Sequence, residues 1–237
     1  MASPAGSDIS ERLLLICPEH QDHSNDHSVL VSEGLLRKRS TKLAENIDRQ
    51  VQQHITQTDN PAQHLILMKL PLELYELKMY ADFLRGAEMS PPTCYYSFYI
   101  GSLTIYNFAL EWDDVEAADA ALDAVRTCLL DNPHFFAHPV RDALVFFKHS
   151  SPARHMLVDI LATPGMADYR EDNDEGHAWL DVNDLNFTLQ LCRALGRELA
   201  ATKLGEEDED VTEIDEGCRY HLHVALGLPC YKDSMME

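Results

Sequence analysis

Two thiols and two imidazoles crowd into thirteen residues of this chain. They are Cys218, His221, His223 and Cys230, carried by Cys218-Arg219-Tyr220-His221-Leu222-His223 and then Cys230-Tyr231. Thiolate sulfur and imidazole nitrogen are the donors of structural zinc, which takes four of them in a tetrahedron. Zinc bound there would couple metal binding to folding of the segment. His221 and His223 are only two residues apart, closer than the usual His-X3-5-His spacing, so they face the same way only on an extended segment. The same residues also fit a docked or disordered tail with a free thiol.

A second group, His20, Asp22, His23, Asp26 and His27, holds ligand types for zinc or copper. No apolar residue lies near enough in sequence to hold those ligands in place, so it reads as a polar hairpin loop. Other chemistry finds no motif. There is no Gly-X-Ser-X-Gly, no phosphate-cradling glycine loop and no His-Glu-X-X-His. The expectation is that the chain is not an enzyme.

Composition narrows the partners. Forty acidic residues against 19 Lys and Arg give a formal charge of −21. Binding a phosphate backbone needs clustered cations, so nucleic acid is not expected, nor is an anionic membrane surface. The apolar content of 45% over 237 residues suffices for a core. The six cysteines lack the spacing of a disulfide framework. Leu13-Leu14-Leu15-Ile16 is too short for a signal sequence. An intracellular setting is expected, cytoplasm and nucleus both remaining open.

The elements that must position these residues follow from periodicity. Arg12–Cys17 and Val29–Val31 read as two strands of a hairpin, and residues 33–56 as one or two helices with Ser40 as a cap. Leu65–Leu70 reads as a third strand. Pro71 suits the first turn of the next helix, whose stripe is Leu74, Leu77, Tyr80, Ala81 and Leu84, and Gly86 suits its stop. An aromatic helix spans 95–110, and Tyr95, Tyr96, Phe98, Tyr99, Tyr106 and Phe108 read as core. An Ala-rich helix spans 114–130. Further helices are expected at 138–149, 152–162 and 184–202, the last with a stripe of Leu185, Leu189, Cys192, Leu195 and Leu199. Residues 206–216 hold eight acids and read as a solvated linker.

Several of these stretches, in this order, resemble the BTB/POZ domain in the form common in fungal proteins. They are Ser28-Val29-Leu30-Val31-Ser32-Glu33-Gly34-Leu35-Leu36-Arg37-Lys38-Arg39-Ser40, the strand and helix ending in Phe83-Leu84-Arg85-Gly86, and the helix from Leu103 to Val115. Ser151-Pro152-Ala153-Arg154-His155-Met156-Leu157 is similar to the helical extension of many such proteins, and tails of a similar Cys/His pattern occur among them. The resemblance implies an α/β (α+β) fold: a small mixed sheet flanked by helices over 9–130, then an all-helical extension over 131–204. A disordered start (1–8), an acidic linker (205–217) and the Cys/His tail (218–237) complete the expected organisation. It also implies a scaffold or adaptor that binds other proteins, with a homodimer and a cullin scaffold among the candidate partners. Leu35, Leu36, Leu43 and Ile47 are the candidate contact residues. Three positions depart from the family pattern. Ser32 stands where His is usual, Ser10-Glu11-Arg12 replaces the opening Asp, and Arg85-Gly86 replaces Tyr-Thr-Gly. The hydrophobic-X-Glu motif used toward cullins is missing from Gln50–Gln63.

Overall fold

A computed structural model describes residues 13–19, 28–57, 66–89, 95–131, 137–147, 151–163, 184–204 and 218–234. The chain divides into two compact units: residues 1–88 with 108–114, and residues 89–107 with 115–237. This division differs from the 9–130 segment read from sequence, because the Ala-rich helix groups with the extension and the tail. The His20–His27 cluster and the 206–216 acidic run lie outside the described residues.

The first unit is built on β1 (Leu13–Pro18), β2 (Val29–Ser32) and β3 (Ile66–Leu70) in the order β2-β1-β3. β1 pairs antiparallel with β2, Leu14 opposite Val31, and parallel with β3, Ile16 opposite Met68. A parallel return needs a crossover. Here α1 (Glu33–Arg39) and α2 (Thr41–Gln57) supply it. The mixed sheet flanked by helices is therefore the α+β arrangement expected.

Local chemistry explains where these helices begin. Ser32 Oγ accepts from Leu35 N at 3.4 Å and caps α1. Ser40 Oγ accepts from Leu43 N at 3.2 Å and caps α2, as its position suggested. That hydroxyl also donates to the Trp112 carbonyl. Arg37 holds the corner between the two helices, bonding Glu33 at 2.7 Å and Asp48 at 2.5 Å.

Leu36, Leu43 and Ile47 lie at 0–1% exposure, in the core beside Leu14, Ile16 and Met68. Leu35 is half-buried. Three of the four candidate contact residues thus serve packing, since a capped α1–α2 corner turns their shared apolar stripe inward.

α3 (Leu74–Leu84) starts three residues after Pro71, with Glu73 as its N-cap, so the proline lies before the helix rather than in its first turn. It ends in a Schellman motif: Gly86 N donates to Phe83 O and Ala87 N to Asp82 O, with Gly86 at φ +90°. Tyr80, fully buried, donates to Asp114 at 2.7 Å and packs edge-on against Phe108.

The second unit is helical. α4 (Tyr95–Glu111) belongs to it up to Asn107. α5 (Val115–Asp131), α6 (Ala137–Phe146), α7 (Pro152–Ala162) and α8 (Leu185–Leu204) follow, then two short helices, α9 (Leu222–Leu226) and α10 (Tyr231–Ser234). Phe98, Tyr99 and Tyr106 are buried as expected, whereas Tyr96 is exposed. Alanines 117, 118, 120, 121 and 124 are buried along α5. Arg154 of α7, 2% exposed, meets Asp184 at 2.5 Å; Asp184 also accepts from Phe187 N and caps α8.

The expected stripe of α8 is corrected. Phe187, Leu191 and Ala194 are buried, while Leu185, Leu189 and Leu199 are 75%, 47% and 57% exposed and Cys192 is exposed. Two apolar rows run along this helix, and the one carrying the large aromatic side chain faces the core. Among the described residues no helix is long and apolar enough to cross a membrane.

Candidate metal centre

The tail docks on α5, which presents two carboxylates one turn apart. Asp119, fully buried, accepts three bonds from the tail: Leu222 N at 2.6 Å, His223 N at 3.1 Å and His223 Nδ1 at 2.6 Å. The first two donors belong to the opening turn of α9 and have no partner within that helix. A side chain of α5 therefore caps a helix lying 103 residues further along the chain.

Asp123 accepts from His221 Nε2 at 2.7 Å, Tyr231 OH at 2.6 Å and Lys232 Nζ at 3.0 Å. Burial pushes its carboxyl up, but the bonds from His221 and Tyr231 outweigh that and hold it below its ordinary value. The Tyr231 phenol is raised far above its ordinary value by burial and then by the Asp123 charge, so it stays a donor. On the other side Tyr220 OH donates to Asp159 of α7 at 2.7 Å.

The backbone then folds the four ligands together. His221 N donates to Cys218 O at 3.0 Å, closing a turn over 218–221. His221 is the N-cap of α9, in extended conformation, and His223 sits in the helix's first turn. The two rings converge, centroids 5.2 Å apart. An extended segment is thus not what aligns them: a bend between a cap residue and a helical one does so. Gly227, at φ +67°, ends α9, and Leu228 N returns to His223 O at 2.9 Å. A residue with a Cβ rarely adopts that conformation. The reversal brings Cys230 back beside Cys218, the two sulfurs 3.5 Å apart.

One donor atom from each of Cys218, His221, His223 and Cys230 lies within 4.8 Å of all the others, so the group could hold a metal ion. Zinc–sulfur bonds of about 2.3 Å at tetrahedral angles would set two sulfurs roughly 3.8 Å apart. The histidines are prepared for ligation. His223 gives its Nδ1–H to Asp119, which leaves Nε2 as the lone-pair atom. His221 gives its Nε2–H to Asp123, which leaves Nδ1, and that Nδ1 is buried with no hydrogen-bond partner. A buried nitrogen left unpaired costs about 1–3 kcal/mol, a penalty that a metal ion would remove. A carboxylate behind each ligating imidazole fixes its tautomer and raises its basicity. Four protein donors fill a tetrahedron and leave no position for a substrate.

No family model, curated protein or solved structure matches the chain.

Reading the sequence named the four candidate ligands that the fold brings together and missed the residues around them, Asp119, Asp123, Asp159 and Tyr231. A signal was present. Asp119 and Asp123 are like charges at i, i+4 in an otherwise alanine-rich apolar helix. Such a pair destabilises an isolated helix, so it points to cationic or donor groups from elsewhere.

Proposed function

We propose that this chain is a non-enzymatic protein-interaction module, a BTB/POZ-like scaffold or adaptor whose Cys/His tail is fastened by structural zinc. The observation that carries the zinc reading is the buried, unpartnered Nδ1 of His221, placed between two thiols and a second imidazole and backed by Asp123. Cys218, His221, His223 and Cys230 would hold the ion, and zinc would supply charge and geometry, not chemistry. Two neutral imidazoles and two thiolates suit Zn²⁺ better than the oxygen-seeking cations.

Support for the scaffold reading is of another kind. The strand–strand–helix–helix–strand–helix order and the mixed sheet accord with the sequence resemblance, and the closed ligand set offers no catalytic position. A homodimer is a further expectation of that reading. Adaptor function toward a cullin is the second reading; it rests on the resemblance alone and lacks the usual triplet.

Metal analysis of protein purified without chelator is expected to give one zinc per chain. At free zinc near a hundred times Kd, the ion adds about 2.7 kcal/mol, or roughly 5–11 °C in Tm, which a strong chelator should reverse. Protein without stoichiometric zinc and with a Tm indifferent to chelator sinks the zinc reading. Affinity capture from source cells with mass spectrometry tests the module. Specific partners or self-association support it, a cullin among them supports the second reading, and the absence of any partner together with no self-association refutes both.

A further inference from the structure

A groove of about 730 Å³ runs between α7 and α8 in the second unit. Its lining includes Arg193, Arg197 and Arg219, with His155 and one carboxylate, Asp159, in a chain whose net charge is −21. Such clustering of cations is the reverse of the chain's overall field. Arg193 and Arg197 are exposed and make no ion pair among the described residues. Arg219 reaches Asp159 at 3.4 Å but keeps 66% of its side chain exposed. Buried Val158 and exposed Ala200 add apolar lining, and Gly196 lies between the two α8 arginines with nothing within 4 Å of where a Cβ would be. Glycine within a helix costs about 1 kcal/mol relative to alanine, and here no neighbour requires it. Leu189, one turn before Arg193, is half exposed beside this face.

We infer that this groove binds a short acidic peptide segment of a partner protein, with carboxylates on Arg193 and Arg197 and an apolar side chain against Gly196 and Ala200. Arginine's planar fork matches a carboxylate in a bidentate pair. The spacing fits a peptide. Four helical residues advance about 6 Å, and same-side residues of an extended chain repeat at about 6.6 Å. A small phosphate ligand is the poorer occupant. The three arginines are exposed, and Arg219 already shares the lining with the carboxylate Asp159, which opposes a compact phosphate cup. The proposal rests on the interaction-module reading and names the chemistry of one partner.

A random dodecapeptide phage library panned on the full chain tests it. The recovered peptides are expected to be rich in Asp and Glu two residues apart, with an apolar neighbour. A labelled peptide from that pool should bind in fluorescence anisotropy with affinity falling as salt rises. Binding should weaken about tenfold or more in Arg193→Glu/Arg197→Glu, whose exposed sites leave folding intact by circular dichroism. Arg85→Glu/Arg141→Glu, two reversals at exposed sites outside the groove lining, carries the same charge change and should change it less than about twofold. Peptides without acidic enrichment, or affinity equal in wild type and double variant, overturn the proposal. Displacement by inorganic pyrophosphate at matching affinity also overturns it, as a phosphate site. A set of cellular partners unchanged by the double variant sinks the groove and leaves the module standing. Peptide binding without any cellular partner keeps the groove and sinks the module.

Discussion

Asp119 does three jobs with two oxygens: it caps α9 through two backbone N–H groups and orients His223 through a third bond. Removing its charge while keeping its shape separates these from packing. Asp119→Asn turns an acceptor pair into one acceptor and one donor, and the new NH2 faces N–H groups that cannot accept. Zinc affinity, measured by competition with a chromophoric chelator, should fall about 10–100-fold, the usual effect of losing a carboxylate behind a ligating histidine. Asp123→Asn should act in the same direction through His221. Unchanged affinity in both variants would mean that the carboxylates hold the tail alone and do not tune a metal. At this scale the sequence was half legible. Cysteine and histidine announce ligand chemistry by type, so the four donors could be read from spacing. A single aspartate does not announce a partner, because an acid on a helix is ordinarily solvated; the i, i+4 pair hints at one, and only the fold shows which groups meet it.

At the scale of elements, two glycines make opposite predictions. Gly86 closes α3 at φ +90°, and Gly196 sits inside α8 with open space around it. Gly86→Ala is expected to destabilise by about 1–2 kcal/mol, since a Cβ at positive φ meets the backbone. Gly196→Ala is expected to stabilise by up to about 1 kcal/mol through helix propensity. Urea denaturation of the two variants checks both signs. If both destabilise, Gly196 is held by packing, not left open for an approaching chain. Most elements were legible because apolar spacing at two or at three to four residues survives in the sequence. The failure on α8 is instructive. Leu185, Leu189, Cys192 and Leu199 follow helical spacing as well as Phe187, Leu191 and Ala194 do, and periodicity alone cannot say which row meets the core. Leu36, Leu43 and Ile47 show the same limit from the other side: an apolar stripe reads alike whether it meets a partner or its own sheet.

For the whole molecule the dominant quantity is charge. With −21 on 237 residues, mutual repulsion opposes the compact state. Raising salt from about 20 to about 200 mM shortens the screening length from roughly 20 to 7 Å, so the Tm should rise. Differential scanning fluorimetry over that range, with zinc held constant, would show it. A falling Tm would mean that ion pairs such as Arg154–Asp184 outweigh the general repulsion. Charge was fully legible from composition. The docking of the tail was not. Asp119 and Asp123 draw the tail to α5, and no local pattern spans a hundred residues.

That separation gives assembly a clock. Asp119 is made 104 residues before His223. At about 5–20 residues per second, α5 leaves the ribosome roughly 5–20 s ahead of the ligands it will orient. Its two carboxylates spend that interval as an acidic pair without their imidazoles, so docking of this tail is a late event of biosynthesis, and zinc capture, if the proposed site is filled, would follow it.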